Sequence, residues 1–313
     1  MKSKTMLEKA RDYIRYKHDL GFKYRSQTHL IESFAKYADI NAKDRPLTTK
    51  LVLQWATTPS ATKSYHTVRL RTISGFAKFL IISDPKTEIP PPGILGGYIQ
   101  RTVPYIYSQE EIACLMTTSA YVKQRKINTL TFSTIIGLLS CTGMRIGEVL
   151  ALNNEDIDWK QKTLIVRGSK KLPMRLVPID RSTVNRLKQY AVSRDQAFPD
   201  QNNKAFFLSV RGTRLAYPTI CITWANLRRK TKTGINEKRP PRLHDLRHTF
   251  ACNHLLNAYK ENKCIDTAVH LLSVYLGHLS IKMTYWYLTG IPQLLELISH
   301  RVEKNIYTKR NGK

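Results

Sequence analysis

The sequence predicts a mainly α-helical protein with a small β-sheet, an α+β chain in two parts. Three observations predict it. Residues 1–84 show helical periodicity between short breaks. Only two short β-rich runs occur, "TLIVRG" and "RLVPID", and both lie in the second half. Between the halves comes "DPKTEIPPPGILGGYIQRTVPYIYS", with three consecutive prolines, a Gly-Gly pair and no periodicity. That composition makes a linker, stiff at one end and flexible at the other. The linker is expected at about 85–107 and the boundary near 101, separating an all-helical unit, 1–101, from a mixed α/β unit, 102–313. At 313 residues, each unit is long enough to bury a core of its own.

The elements follow in order. Gly21 interrupts the first helix, Ser26 can cap "SQTHLIESFAKYA", and Thr48 or Thr49 can cap "KLVLQWA". In and before "SYHTVRLRTISGFAKFLIIS", Leu70, Ile73, Phe76, Ala77 and Leu80 share one helix face. Lys63, Arg69 and Lys78 fall largely on the remaining surface, either solvated or available to a polyanion. In the second unit, Ser108 and Glu111 form a capping box, and "FSTIIGLLSCTG" reads as a buried helix stopped by Gly143. The two β-rich runs flank "SKKLPM" as a hairpin or part of a three-strand sheet. After about residue 218 the chain reads as helical. Pro240 and Pro241 set off "RLHDLRHTFACNHLL", and Pro292 begins "QLLELISHRVEKNIY".

Charge narrows the function classes. Fifty-one Lys and Arg against 23 Asp and Glu give +28, spread along the whole chain. Self-repulsion of that size is relieved by a polyanion, and nucleic acid is the usual one. The N-terminus lacks the apolar core of a signal peptide, and "TFSTIIGLLSCTG" is too short to span a bilayer. A cytoplasmic location, or a nuclear one if the host has a nucleus, without a membrane partner is therefore expected. The five cysteines form no CxxC pair, so neither a disulfide framework nor a zinc site is indicated. There is no GxxxxGK[ST] and no HExxH, which argues against a nucleotide-fuelled motor and weakens a metal-nuclease reading.

Four stretches could carry chemistry. In "HDLRH", His244 and Arg247 are three apart and share a helix face. Such a pair can grip one phosphate through two guanidinium N–H groups and move a proton near neutral pH, or can simply be a surface Arg beside a satisfied His. In "CTGMRIGEVLAL", Arg145 opens a helix three residues before Glu148. It could meet a phosphate together with free helix N–H groups, or form an ordinary surface pair with Glu148. "VRGSKKLPMRLVP" carries Lys170 and Lys171 at a hairpin tip, where a lysine can protonate a leaving oxygen or merely be solvated. In "YLGHLSIKMTYWYLTG", Tyr285 and Tyr287 follow His278. Residues two apart on a helix project about 200° apart, so only one of the two tyrosines can face a site with that histidine.

Together and in this order, the four stretches resemble the tyrosine recombinases. The first arginine box of that family resembles "CTGMRIGEVLAL", the second resembles "HDLRHTFA", and the last resembles "LGHLSIKMTYWYL". "FAKFLIISDPKTEIPPPGIL", "PYIYSQEEI" and "TYWYLTGIPQLLELI" are similar to the transposon-borne branch, which includes recombinase-in-trio proteins. The resemblance implies a helical core-binding domain that clamps duplex DNA, followed by a catalytic domain of the DNA breaking-rejoining type. It implies Arg145, Lys170, His244, Arg247 and His278 as catalytic residues around one DNA phosphate, with Tyr287 as nucleophile and Tyr285 as a packing residue. Lys171 stays open as an alternative to Lys170, and with Lys63 and Arg69 it is a candidate DNA contact. The resemblance further implies strand transfer through a 3′-phosphotyrosyl link, no metal or ATP, and four protomers on two duplexes, with companion recombinases where a system needs them. The apolar stripe Leu294, Leu295, Ile298 and Val302 could dock on a neighbour or pack within its own domain. A type IB topoisomerase and a non-catalytic DNA-binding relative are the competing readings.

Overall fold

The computed structural model describes residues 4–43, 45–58, 62–96, 103–119, 126–168, 174–199, 203–289 and 299. Its contacts divide the chain into two units, 1–102 and 103–313. The fold is mainly helical, with one small antiparallel sheet in the second unit.

The first unit is built from α1 (Met6–Asp19), α2 (Arg25–Asn41), α3 (Thr49–Ala56) and α4 (Lys63–Leu80). Thr5 and Glu8 close a capping box at the start of α1, and the Asp39 carboxylate of α2 accepts from the Met6 and Leu7 N–H groups at 2.7 and 3.1 Å. One acid thus satisfies two orphan donors and fixes the α1–α2 contact. Ser26 does not cap α2. The helix begins one residue earlier, after Tyr24 turns left-handed at φ 40°, and the Tyr24 hydroxyl lies 3.1 Å from that of Tyr13. Thr48 caps α3 through the Leu51 N–H. Leu70, Ile73, Phe76, Ala77 and Leu80 of α4 are all buried, packing with Tyr13, Ile31, Phe34 and Trp55. Each such large apolar side chain contributes about 1.5–3 kcal/mol by leaving water.

The segment expected as a linker from about 85 is partly fixed. Glu88 donates its N–H to the Leu47 carbonyl and accepts from Thr49 N–H, while the Ser74 hydroxyl donates to the Pro90 carbonyl. At the other end of the expected linker, Tyr107 belongs to the second unit's core, its N–H donating to Thr249 and its hydroxyl to the Arg242 carbonyl.

The second unit contains α5 (Gln109–Thr118), α6 (Lys126–Thr142) and α7 (Ile146–Ala151). Ser108 and Glu111 supply both halves of the α5 capping box. A short 3₁₀ turn at Asn154–Asp156 leads to β1 (Ile157–Asp158), β2 (Thr163–Val166) and β3 (Arg175–Pro178), antiparallel in that order. Leu164, Val166 and Val177 turn into the core shared with Ile135 and Leu139 of α6. Val166 faces Arg175, the first residue of β3. Then come α8 (Arg181–Ala197), α9 (Tyr217–Lys230), α10 (Asp245–Lys260), α11 (Ile265–Leu276) and α12 (Lys282–Thr289). The expected hairpin tip "SKKLPM" falls almost wholly, and the expected helix after Pro292 almost wholly, outside the described residues.

Gly143 ends α6 with φ +60°, and a Cβ there would collide with the Phe250 ring. Both the left-handed backbone and the close ring demand glycine. Gly143→Ala is therefore expected to destabilise the second unit by on the order of 2–4 kcal/mol, read as a lower urea midpoint at unchanged slope.

Candidate active site

Four segments of the second unit converge: the turn after α6, the start of α10, the end of α11, and α12. Arg247, in the first turn of α10, is only 2% exposed. Its Nη1 donates to the Gly143 carbonyl at 2.8 Å, and its Nη2 donates to the Leu276 carbonyl at 2.8 Å and to His278 Nε2 at 3.0 Å. Leu276 is the last residue of α11 and Gly143 follows the last residue of α6. Helix-end carbonyls have no intrahelical partner and carry partial negative charge. They solvate the guanidinium without cancelling its charge. Burial first, and then the nearby Arg145, lower the Arg247 pKa to about 10, so the group remains cationic at neutral pH.

Arg145 stands at the N-cap of α7. Its Nη1 donates to Glu148 Oε1 at 2.8 Å, its backbone N–H to Glu148 Oε2 at 2.9 Å, and its Nη2 to the Gly277 carbonyl at 3.3 Å. This is not the ordinary surface pair that spacing alone allows. The same carboxylate takes two bonds from Arg175, Nη1 to Oε1 at 3.0 Å and Nη2 to Oε2 at 2.7 Å, and Arg175 Nε donates to the Tyr275 carbonyl at 3.0 Å. Burial pushes the Glu148 carboxyl up, but the bonds from Arg175 and Arg145 outweigh it and hold the pKa at about 2. The guanidiniums of Arg145 and Arg175 hold one carboxylate between them, and the charge of Arg247 lies nearby with no carboxylate of its own. The cluster keeps two positive charges, which suits a bound anion.

His278 follows the left-handed Gly277 that ends α11, φ +64°. A guanidinium can only donate, so Nε2 accepts from Arg247; Nδ1 then carries the proton and donates to Thr284 Oγ1 at 2.7 Å. Burial, and then Arg247, lower the His278 pKa to about 4, and the ring is neutral at pH 7. Nε2 is thus an acceptor here, where a phosphate ligand would require a donor.

Tyr287 is 3% exposed, its ring stacked on His278 with centroids 6.1 Å apart and tilted against His248 at 5.4 Å. Burial raises its phenol, and Arg247 pulls it back by charge and by a hydrogen bond. Tyr285 points elsewhere: its hydroxyl donates to Asp266 at 2.9 Å. His244 lies at the exposed rim as the N-cap of α10, edge-on to His248 at 4.8 Å. Desolvation against its neighbours, and then Arg247, lower its pKa. Among the described residues no cluster of His, Cys, Asp or Glu could hold a metal ion, and no helix is long and apolar enough to cross a membrane.

Comparison with known proteins decides the family. Residues 106–291 match the phage integrase family. A Sinorhizobium fredii protein named as an integrase/recombinase, y4rB, is 36% identical over 308 residues, covering 96% of this chain and 98% of its own. This chain belongs to the phage integrase family. The tyrosine recombinase XerC of Chlamydia trachomatis is 31% identical over 70% of this chain and 64% of its own. Likeness in fold extends to the Tn1549 transposon integrase in complex with transposon right-end DNA, with a TM-score of 0.66 at 15% identity, covering 96% of this chain and 99% of that one. A lambda integrase dimer bound to a core site gives 0.61 at 17% identity, covering 91% and 77%.

Within this integrase-family chain, Arg145, Arg247, His278 and Tyr287 come together, with His244 at the rim. Lys170 and Lys171 lie outside the described residues. In the first unit Lys63 is exposed at the start of α4. Arg69 is not the free surface cation that periodicity suggests. Its guanidinium lies 5.2 Å from the Trp55 ring centroid and 5.0 Å from that of Tyr65, with a long 3.5 Å bond to the Trp55 carbonyl. Cation–π packing between α3 and α4 holds it there. Sequence reasoning missed Arg175, Thr284 and His248, and assigned Glu148 no role beyond a surface pair. A basic residue opening a β-rich run, "MRLVP", is the one local signal that could have drawn attention to Arg175.

The half-buried rings of His248 and His278 set a pH dependence. His248, like His278, is lowered to about 4, by burial first and then by His244. Both folded-state values lie below the unfolded value, so between about pH 6.5 and 4 the unfolded chain binds more protons, and stability falls as pH falls through that window. Glu148, depressed to about 2, adds its own loss only below about pH 4.5. Thermal unfolding is expected to shift to lower temperature between about pH 7 and 4.5, with a smaller shift in His278→Gln; a flat midpoint across that range would contradict histidines held neutral in the folded chain.

Proposed function

We propose that the chain is a site-specific DNA recombinase of the integrase or transposase type, cleaving and rejoining DNA through a 3′-phosphotyrosyl intermediate on Tyr287. One observation carries this reading: a phenol stacked on a neutral histidine inside a pocket with two uncompensated guanidinium charges. A phenol of pKa about 10 is a weak nucleophile at neutral pH, and a phosphodiester repels anions. Arg145, partly exposed beside the rim, and Arg247, at the floor, answer both difficulties by neutralising the non-bridging oxygens as charge shifts in the transition state.

The Tyr287 oxygen attacks phosphorus, the new Oη–P bond forms, and the P–O5′ bond breaks. His244 assists removal of the phenolic proton, being unprotonated near pH 7, and Lys170 returns a proton to the departing O5′. Phosphate binding beside His278 favours its protonated form and turns Nε2 from acceptor to donor. The 5′-hydroxyl of a second duplex reverses the step and exchanges strands. The phosphotyrosyl bond conserves the energy of the phosphodiester, so the cycle asks for neither ATP nor a metal. The helical unit serves as the core-binding clamp and the second unit as the catalytic domain, acting on double-stranded DNA as a tetramer on two duplexes, with companion recombinases where the element encodes them. The +28 charge and the fold shared with DNA-bound integrases support this assignment.

The test is covalent capture. On nicked duplex DNA from the chain's own locus, in EDTA, the wild-type chain is expected to form an SDS-resistant complex. Tyr287→Phe should lower it by at least about 10³-fold, and Tyr285→Phe should leave it within about threefold. Loss of the complex in Tyr285→Phe with retention in Tyr287→Phe would reverse the assignment. Strand transfer to a second duplex distinguishes recombination from topoisomerase-like resealing of the same duplex.

A further inference from the structure

Among the described residues, Arg175 is the one cation of the pocket whose presence the chemistry above does not explain. It sits at the start of β3, its side chain 13% exposed, and its three nitrogens are engaged: two on Glu148 and Nε on the Tyr275 carbonyl. Its guanidinium lies so close along the Gly277 backbone that a Cβ on Gly277 would come within 3.2 Å of Nη1. A group held in this way has little left with which to grip a phosphate. What it does grip is the carboxylate that also holds Arg145.

The charge count shows why that matters. Arg145 and Glu148 alone would form a closed pair of zero net charge, and a carboxylate free to turn would take the bidentate geometry with Arg145 that guanidiniums favour. Arg175 occupies both carboxylate oxygens itself. Glu148 is thereby neutralised and fixed in one orientation, and Arg145 is left with a single 2.8 Å side-chain bond to Oε1 and a weaker 3.3 Å bond to the Gly277 carbonyl. Its charge stays available, and it points from a fixed place beside the backbone that precedes His278.

We propose that Arg175 is a positioning residue for strand cleavage: by holding Glu148 it keeps the guanidinium of Arg145 uncompensated and aimed at the scissile phosphate. The inference rests on the reading of Arg145 as a phosphate ligand, and the experiment separates the two. The measured quantity is the rate of covalent-complex formation on a normal scissile phosphodiester and on a methylphosphonate at the same position, in which a methyl group replaces one charged oxygen. A neutral phosphorus centre needs less cationic neutralisation, so loss of a neutralising charge is felt less there.

Arg175→Met is expected to slow cleavage of the phosphodiester by about 10²-fold and cleavage of the methylphosphonate by less than about fivefold. Arg145→Ala should show the same pattern, and the double variant should be little worse than Arg145→Ala alone. Arg175→Lys keeps the charge but loses the two-pronged grip; it should fall between wild type and Arg175→Met on the phosphodiester, and it supplies the substrate ratio if the methionine variant does not fold. An equal loss on both substrates would overturn the proposal, because a defect in folding or in leaving-group protonation does not depend on the charge of the phosphorus centre. Failure of the methylphosphonate to relieve Arg145→Ala would instead remove the phosphate-binding role of Arg145, and the proposal with it.

Discussion

A buried guanidinium held by helix-end carbonyls is the constraint around which the second unit is arranged. Taking an ion the size of Arg247 out of water costs several kcal/mol, and the usual remedy is a carboxylate. Here the partners are the carbonyls of Gly143 and Leu276, offered by the ends of α6 and α11. The difference is electrostatic as well as structural. A carboxylate would satisfy the hydrogen bonds and also cancel the charge; carbonyl oxygens satisfy the bonds and leave the charge in place. Both helices must stop where they do for this to work, and Gly143 and Gly277 adopt left-handed backbones at those two stops.

From that floor the rest of the pocket follows in layers. Arg247 fixes the tautomer of His278, Thr284 Oγ1 accepts a hydrogen bond from the N–H on its other nitrogen, and the Tyr287 ring stacks on the imidazole. Glu148 joins Arg145 to Arg175 and so ties the α7 cap to the start of β3 and, through the Tyr275 and Gly277 carbonyls, to the same end of α11. The phenol is almost inaccessible to water, and burial raises its pKa, which favours the protonated form.

Much of this was legible in the sequence wherever the cause is local. The apolar face of α4 repeats at helical spacing, Ser108 and Glu111 stand three apart at a helix start, and Gly143 stops a long apolar helix. What failed depends on contacts distant in sequence. Ser26 looked like a cap, but α2 starts after Tyr24, whose turn is tied to Tyr13 on α1. Arg69 fell on the polar face by periodicity, yet Trp55 on another helix captures it. Glu148 and Arg175 are 27 residues apart and meet across a sheet edge, a pairing that leaves no period to detect. For the two tyrosines, helix geometry says that they differ but not which one faces the pocket. The resemblance to tyrosine recombinases pointed to Tyr287, and in the folded chain Asp266 draws Tyr285 away.

The most direct measurement is to find which atom of the protein carries the DNA. The chain would be trapped on DNA from its own locus in EDTA, quenched with SDS, digested with trypsin, and the DNA-linked peptide fragmented by mass spectrometry. Both tyrosines fall in one peptide, Met283 to Arg301, so the fragment ions must separate them. A nucleotide on Tyr287 is the expected result. A nucleotide on Tyr285, or tight binding with no adduct on any DNA from the locus, would contradict the proposal that Tyr287 is the nucleophile.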